Sequence, residues 1–307
     1  MVGYILRRLF QAILILVGVS FVAFFLLYVL PADPAQMLVG RGQGGAELIE
    51  QVREQLGLNM PFFQRYLHYL GNLLQGDLGR SYVQKTDVAT LIWSRLPATL
   101  LLIAGAIFFE IVIGVTLGLL ASLWRNGRAD QGIMVAAFIF ASAPQFVVGL
   151  LLLYVFAVHL DWFPMGGYGS LANLVLPALT LGILGAGWYA RVMRSSMLDV
   201  LRQDFIRTAK AKGLGPATVV VIHALPNAIL PIVALIGSDV AYFMSQTVVV
   251  ESVFGWPGIG QLAWQAIQRV DIPIIMGVTI VTACAAVLGN LLADLIAPMI
   301  DPRIKMR

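Results

Sequence analysis

The stretch at residues 9–30, LFQAILILVGVSFVAFFLLYVL, holds no charged residue, and Arg7 and Arg8 precede it directly. A helix rises about 1.5 Å per residue, so a stretch of this length crosses the roughly 30 Å hydrocarbon core of a bilayer. It is also longer than the apolar part of a cleaved signal peptide, which is about 7–15 residues. The sequence therefore predicts a retained membrane-spanning helix here.

Five further apolar runs of spanning length follow along the chain. They occupy residues 98–123, 133–158, 175–192, 227–250 and 273–296. The chain is 59% hydrophobic and 12% charged, whereas a soluble protein is about 45–50% apolar and about 25% charged. The sequence thus predicts an all-α integral membrane protein with six transmembrane helices. Pro144 lies inside the third predicted span and is expected to kink it, because proline removes one backbone hydrogen bond.

The polar segment between the first and second predicted spans is expected to fold. Residues 47–56 show a helical pattern that Gly57 would end. A second helix, capped by Asn59 and ended by Gly76, is predicted from four apolar residues at helical spacing: Phe62, Tyr66, Tyr69 and Leu73. The segment is therefore interpreted as a small external helical insert.

The placement of Lys and Arg predicts the orientation. With both termini in the cytoplasm, thirteen of the 20 basic residues fall on the inside, and the loop between the third and fourth spans carries none. Such an excess marks cytoplasmic segments. The net charge of +4 thus follows from membrane topology, and no nucleic-acid partner is predicted.

The longest predicted cytoplasmic loop is residues 194–226. Its apolar residues at i, i+3, i+4 spacing predict one helix face made of Met197, Leu198, Leu201, Phe205 and Thr208/Ala209. Gly213 and the Gly215-Pro216 pair then predict a sharp turn, with a second helix starting at Pro216. The expected result is a helical knob that projects from the membrane.

This loop resembles that of ABC-importer permeases, whose pattern is Glu-Ala-Ala, three residues, Gly, nine residues and Ile-x-Leu-Pro. Here Arg207, Thr208 and Ala209 occupy the first three positions, Gly213 the glycine, and His223-Ala224-Leu225-Pro226 the end. The Glu, the first Ala and the Ile are thus replaced, while the spacing of Gly and Leu-Pro is intact.

Other landmarks extend the resemblance over nearly the whole chain, and they are similar to those of dipeptide, oligopeptide, nickel and glutathione permeases. In order, they are LPADP at 30–34, GDLG at 76–79 with Ser81, RLPATL at 95–100, RSSM at 194–197, WPGIG at 256–260 and DPR at 301–303.

The resemblance implies a type I ABC-importer permease fold and an organisation into four parts: an anchor helix (1–30), the external insert (31–95), a transmembrane permease core (96–296) that contains the 194–226 coupling loop, and a cytoplasmic tail (297–307). It implies that the loop docks on a separate ATPase subunit. The implied coupling residues are Arg207, Thr208, Ala209, Gly213, Leu225 and Pro226.

The implied partners are a second homologous permease, two ABC ATPase subunits, an extracytoplasmic solute-binding protein and membrane lipid, in the bacterial inner membrane. ATP and Mg would be bound by the ATPases, with no cofactor in this chain. The sequence itself has no Gly-Lys dipeptide and hence no Walker A loop, so no catalytic residue is expected.

An intramembrane enzyme is disfavoured because the sequence lacks both His-Glu-x-x-His and Gly-x-Ser-x-Gly. Cys284 and the three histidines, His68, His159 and His223, show no metal-ligand spacing, so no metal site is predicted.

Glu110 and Asp239 lie near the centres of predicted spans. A charge there costs about 2.5–3.5 kcal/mol on insertion scales, so both should face protein or water. Together with Gln246 and Asn290 they are candidate residues of a solute pathway, where Asp239 would meet a cationic amino terminus. The alternative is a protonated or hydrogen-bonded contact between helices.

Small residues predict close helix packing at Gly114 and Gly118 in the second span and at Gly182, Gly185 and Gly187 in the fourth, either within this chain or against a sister permease. The Trp256-Pro257-Gly258 turn is interpreted as an external lid, a binding-protein contact or an anchor in the interfacial aromatic belt.

The function predicted is that of a permease subunit that moves dipeptides or oligopeptides by alternating access. A nickel chelate or glutathione is the alternative solute. A non-transporting membrane scaffold is a further alternative, which the polar residues within the spans disfavour.

Overall fold

The computed structural model describes residues 2–29, 35–36, 46–55 and 59–300. These residues fold almost entirely into helices. In chain order the helices are α1 (Val2–Val29), α2 (Ala46–Gln55), α3 (Phe62–Leu74), α4 (Val88–Leu123), α5 (Arg128–Ser142), α6 (Gln145–Leu152), α7 (Leu171–Val200), α8 (Asp204–Ala211), α9 (Pro216–Ala228), α10 (Leu230–Phe254), α11 (Ile259–Arg269) and α12 (Ile272–Ile300). Wider π-helical turns continue α6 over Leu153–His159 and form the middle of α9 over Val219–Ala224.

Within the described ranges, five helices are long and apolar enough to cross a membrane, namely α1, α4, α7, α10 and α12. A sixth span exists if α5 and the Gln145–His159 helix count as one, since they meet at a bend of 108°. The break follows Ser142, and Pro144 is extended there, with ψ of 128°. The predicted kink at Pro144 is thus confirmed, although the bend is far sharper than a kink within a continuous span.

Several helices extend beyond the apolar runs that predicted them. α4 begins at Val88 rather than near 98 and carries Pro97 inside it, so the predicted limit of the insert at residue 95 falls within a helix. α7 continues to Val200, eight residues past the predicted end at 192. Hydropathy marks the part of a helix that lipid surrounds, whereas backbone hydrogen bonding continues through polar residues.

The described residues divide into two compact units, and the first comprises Met1–Pro97 and Pro257–Ala285. In it, α3 packs on α1 around Phe24 and Tyr66. The predicted cap at Asn59 is wrong: Pro61 precedes the first turn of α3, and the Asn59 amide instead donates to a Glu50 carboxylate oxygen at 2.7 Å. Residues 56–58, including the predicted stop at Gly57, lie outside the described residues.

A buried carboxylate organises the loop before α4 in the same unit. Asp271 is buried and accepts hydrogen bonds from the Ser81 hydroxyl at 2.5 Å and from the backbone amides of Tyr82 and Val83 at 3.1 Å each. These donors satisfy a charge that is costly to bury alone. The 81–83 segment is thereby fixed against the start of α12.

The second unit comprises Ala98–Trp256 and Ala286–Arg307, and α7 forms its centre. Gly118 of α4 lies so close to α7 that a Cβ there would come within 2.7 Å of the Met193 Cβ, and a Cβ on Gly182 of α7 would lie 2.6 Å from the Ala106 carbonyl oxygen. Gly187 faces α5 at Ala137 in the same way. The predicted close packing is confirmed, with both partner helices in this chain.

Trp256 is a core residue of this unit. Its side chain is buried, its indole N–H donates to the Ala98 carbonyl at 2.9 Å, and the Tyr168 ring meets it edge-on. The interpretation of the Trp256 side chain as an anchor in the interfacial belt is therefore wrong, whereas a lid or binding-protein contact made by the turn stays a prediction. The sequence could not distinguish an interfacial from a buried position for Trp256. Trp suits both a membrane interface and a buried site that offers one hydrogen-bond acceptor.

Candidate functional site

The loop that follows α7 forms a compact helical knob. After α7 ends at Val200, the chain turns over residues 201–203, where the Gln203 amide donates to the Val200 carbonyl at 3.0 Å. α8 then starts at Asp204, whose carboxylate suits the positive end of the helix dipole. The Thr208 hydroxyl donates to the Asp204 carbonyl at 3.0 Å, which places Thr208 one turn into α8.

The knob is anchored by an apolar face of α8. Ile206 and Ala209 are buried in a cluster that includes Met193 and Met197 of α7 and Val219 of α9. The predicted stripe is therefore wrong at Phe205, which is 40% exposed, whereas Ile206 is 0% exposed. The prediction assumed one continuous helix from Met197 to Ala209. The helix breaks after Val200, so the side chains of α8 do not follow the spacing set by α7.

The turn that ends α8 depends on a glycine in the left-handed backbone conformation. Gly213 has φ of +77°, a conformation that costs a non-glycine residue roughly 1 kcal/mol or more. Its amide donates to the Lys210 carbonyl at 3.0 Å, and the Leu214 amide reaches the Ala209 carbonyl at 3.4 Å. Pro216 opens α9 at its first turn. The predicted turn and the predicted start of the second helix are both confirmed.

The opposite face of α8 is polar and cationic. Arg207, Thr208, Lys210 and Lys212 are all exposed. Arg207 makes an ion pair of 3.5 Å with Asp204, one turn away, and both side chains lie mostly in solvent, where such a pair contributes little. A docking partner therefore meets these side chains without first breaking a strong intramolecular contact.

The structure brings most of the predicted coupling residues to this knob. Arg207 and Thr208 lie on its exposed face, Ala209 on its buried face, and Gly213 at its turn. Leu225, near the end of α9, packs on the same buried cluster, whereas Pro226 beside it is exposed.

Sequence reasoning missed an ion pair near the base of the knob. The Arg194 guanidinium, on α7, donates two hydrogen bonds of 2.6 Å to the two carboxylate oxygens of Asp130, at the start of α5. The backbone N–H of Asn126 adds a third donor at 2.9 Å. Such bidentate contacts fix geometry as well as charge. The available signal was Asp130 itself, the one acidic residue in the basic turn at 125–130.

The intramembrane candidates differ in their surroundings. Glu110 of α4 is 3% exposed, lies against Gly185 of α7, and has one carboxylate oxygen without a hydrogen-bond partner among the described residues. Asp239 of α10 is partly buried and accepts a hydrogen bond from the Tyr189 hydroxyl. Sequence reasoning did not single out Tyr189.

The other two candidates, Gln246 and Asn290, differ from each other in exposure. Gln246 is partly buried and lies two turns after Asp239 on α10, while Asn290 of α12 is exposed. The structure thus brings Glu110, Tyr189 and Asp239 together, and places Gln246 on the same helix as Asp239.

The model of the family described as "binding-protein-dependent transport system inner membrane component" matches residues 114–306. A second model, for the N-terminal part of such membrane components, matches residues 1–103. The chain belongs to this family. The predicted resemblance is confirmed, and the chain is the membrane-spanning permease subunit of an ABC importer, a multi-pass protein of the inner membrane.

Named relatives match over their full length. The glutathione transport system permease protein GsiC of Escherichia coli (strain K12) is 38% identical over 307 residues, covering 100% of both chains. The oligopeptide transport system permease protein AppB of Bacillus subtilis (strain 168) is 39% identical over 316 residues, covering 99% of this chain and 100% of that protein.

Solved structures with the same fold include an inward-facing form of the MetNI methionine ABC transporter, with a TM-score of 0.58 at 19% identity over 68% of this chain and 96% of that chain. An amino acid ABC transporter with histidines gives 0.52 at 17% identity over 68% and 94%. These likenesses show the permease fold of ABC importers. In this family ATP is used by separate ATPase subunits, and the permease is not itself an enzyme.

Proposed function

We propose that this permease moves short peptides, either ordinary dipeptides and oligopeptides or the peptide-like thiol glutathione. Two relatives of nearly equal identity support this class of solute, since one is named for glutathione and the other for oligopeptides. A nickel chelate is the alternative to be tested alongside them.

The observation that supports the mechanism is that α8 is amphipathic. Its exposed face offers Arg207 and Thr208 to an ATPase subunit, and its buried face seats Ile206 on the end of α7. Because packed helices move as rigid bodies, a displacement of α8 by a closing ATPase would be passed to α7. Gly213, at the turn, keeps the knob compact.

The proposed pathway residues are chosen because polar side chains are energetically costly to expose to lipid. Polar side chains in spanning helices face protein or water rather than lipid. Asp239 and Gln246, which are half-buried, and Asn290, which is exposed, would line the pathway, and the Asp239 carboxylate would attract the ammonium group of a peptide. Glu110 is buried against Gly185 of α7 and would reach the solute only if α4 and α7 separate.

The proposed assembly contains this chain, a second homologous permease, two ABC ATPases that bind ATP and Mg, and an extracytoplasmic solute-binding protein. Both termini would be cytoplasmic. The basic knob face and the Arg125–Arg128 turn support this orientation through the excess of cations on the cytoplasmic side.

The test uses the complete complex in liposomes with dipeptides, oligopeptides, glutathione and a nickel chelate. Gly213→Pro should abolish ATP-driven uptake, because proline requires φ near −65°. Gly213→Asn, which tolerates left-handed backbone, should retain most of it. Gly132→Ala is the matched control, since a Cβ there meets nothing within 4 Å.

Unchanged uptake with Gly213→Pro would refute the coupling role. Hydrolysis of ATP by the wild-type complex without uptake of any solute would support a scaffold instead. The solute that is taken up identifies the substrate class.

A further inference from the structure

The packing of α3 on α1 places α3 at the depth of the membrane span. The Tyr66 hydroxyl, on α3, donates to the Val17 carbonyl of α1 at 3.2 Å and lies 3.0 Å from the Ser20 hydroxyl. Nearer the end of α1, the Phe62 ring meets the Phe25 ring at 5.9 Å between centroids. The contact therefore covers residues 17–25 of α1.

Those residues lie inside the apolar span Leu6–Leu27. At about 1.5 Å per residue, Val17 is roughly 15 Å and Phe25 roughly 3 Å from the Leu27 end. A helix outside the membrane would instead meet α1 at or beyond Leu27. α3 thus sits beside the half of α1 that belongs to one leaflet.

α3 presents three distinct faces. One face, with Tyr66 and Tyr69, packs on α1. A second is apolar and exposed: Phe63 is 70%, Leu67 65% and Leu74 88% exposed. At about 100° per residue these three positions fall within roughly 40° of one another. The third face carries Gln64 and His68, which are both exposed.

The charge on α3 fits the same depth. Arg65 is its only Lys, Arg, Asp or Glu residue, and the Arg65 guanidinium lies 5.7 Å from the centroid of the Phe24 ring. A long cationic side chain can cover apolar surface while its head turns to the membrane surface. An apolar face flanked by polar residues is the pattern of a helix lying at a bilayer interface.

The apolar face of α3 adjoins an exposed surface of α1, because the Phe62 ring contacts both Phe25 of α1 and Phe63 of the exposed face. On the same half of α1, Val22, Phe25 and Leu26 are large, apolar and exposed. For a spanning helix this surface faces lipid, and the stripe on α3 extends it. We infer that α3 is an interfacial helix embedded in the leaflet at the C-terminal end of α1, with Phe63, Leu67 and Leu74 in contact with lipid acyl chains. The insert is thus anchored in the membrane rather than external to it.

Site-directed spin labelling of the complete complex in lipid nanodiscs tests this directly. In a Cys284→Ser background, single cysteines at Leu67, Ile13, Lys85 and His68 receive a nitroxide, and power saturation compares collisions with oxygen and with a water-soluble nickel chelate. Ile13, on α1, is the lipid control, and Lys85, in the exposed loop, is the water control.

The label at Leu67 should collide mainly with oxygen, as the label at Ile13 does. The label at His68 should collide with the nickel chelate more often than the label at Leu67 does. A Leu67 label as accessible to the chelate as the Lys85 label would place α3 in water and overturn the proposal. Low collision rates with both reagents at Leu67 would also overturn it, because a protein partner would then cover this face. A repeat at Phe63 guards against a local effect of one label.

Discussion

At the residue scale, the ion pair between Arg194 and Asp130 joins α7 to the start of α5. The pair has two hydrogen bonds of 2.6 Å, and the Asp130 side chain is buried. Removing one partner of such a pair leaves a buried charge without its counter-ion, which is more costly than losing an exposed ion pair.

Arg194→Ala should therefore destabilise the second unit by about 3 kcal/mol. The measurement is the thermal unfolding midpoint of the purified complex. Arg125→Ala is the matched control, because it removes the same charge from an exposed position on the neighbouring turn and should change the midpoint little. Equal midpoints for the two variants would show that the ion pair has no special role.

Residue identities predicted some features of the site and not others. Gly213 was predictable, since a glycine between a helix and Gly215-Pro216 signals a turn. The burial of Ile206 in place of Phe205 was not, because it depends on a helix break that no proline or glycine marks. Asp130 was likewise missed, since its partner lies 64 positions away.

At the scale of elements, the short segment 81–83 is held by a single acceptor residue. Asp271 accepts from one hydroxyl and two backbone amides. Hydrogen bonds to a charged group are worth about 1.5–3 kcal/mol each, so this carboxylate accounts for much of the order of the segment before α4.

Asp271→Asn should accelerate amide hydrogen exchange at Tyr82 and Val83 by about tenfold or more, since 1.4 kcal/mol corresponds to a factor of ten. Asp87→Asn, at an exposed site in the same loop, is the control and should leave both amides protected. If the Tyr82 and Val83 amides exchange equally fast in the two variants, the hydrogen bonds to Asp271 do not hold the segment.

Elements were predicted best where their apolar pattern was continuous. Five spans were found near their observed positions, and their ends shifted because α4 and α7 continue into polar sequence. The 108° bend between α5 and the Gln145–His159 helix was not predictable, since Pro144 permits a wide range of bend angles and tertiary packing selects one. The packing of α3 on α1 also escaped prediction, because the aromatic periodicity of α3 shows that one of its faces is buried but not which helix covers it.

At the scale of the whole molecule, the central claim is that the knob formed by α8 and the Gly213 turn docks on an ATPase subunit. The family establishes that such a subunit acts with separate ATPases, and the exposed cationic face of α8 supplies the proposed contact. Both the coupling residues and the cytoplasmic orientation depend on this claim.

Cross-linking from Thr208 tests it most directly. In a Cys284→Ser background, Thr208→Cys is labelled with a photo-reactive maleimide in membranes that contain the whole complex, with Lys85→Cys as the matched exposed control. The account predicts an adduct between this chain and an ATPase subunit from position 208 and none from position 85. Absence of that adduct at 208, or its appearance at 85, would contradict the docking of α8 and the proposed orientation.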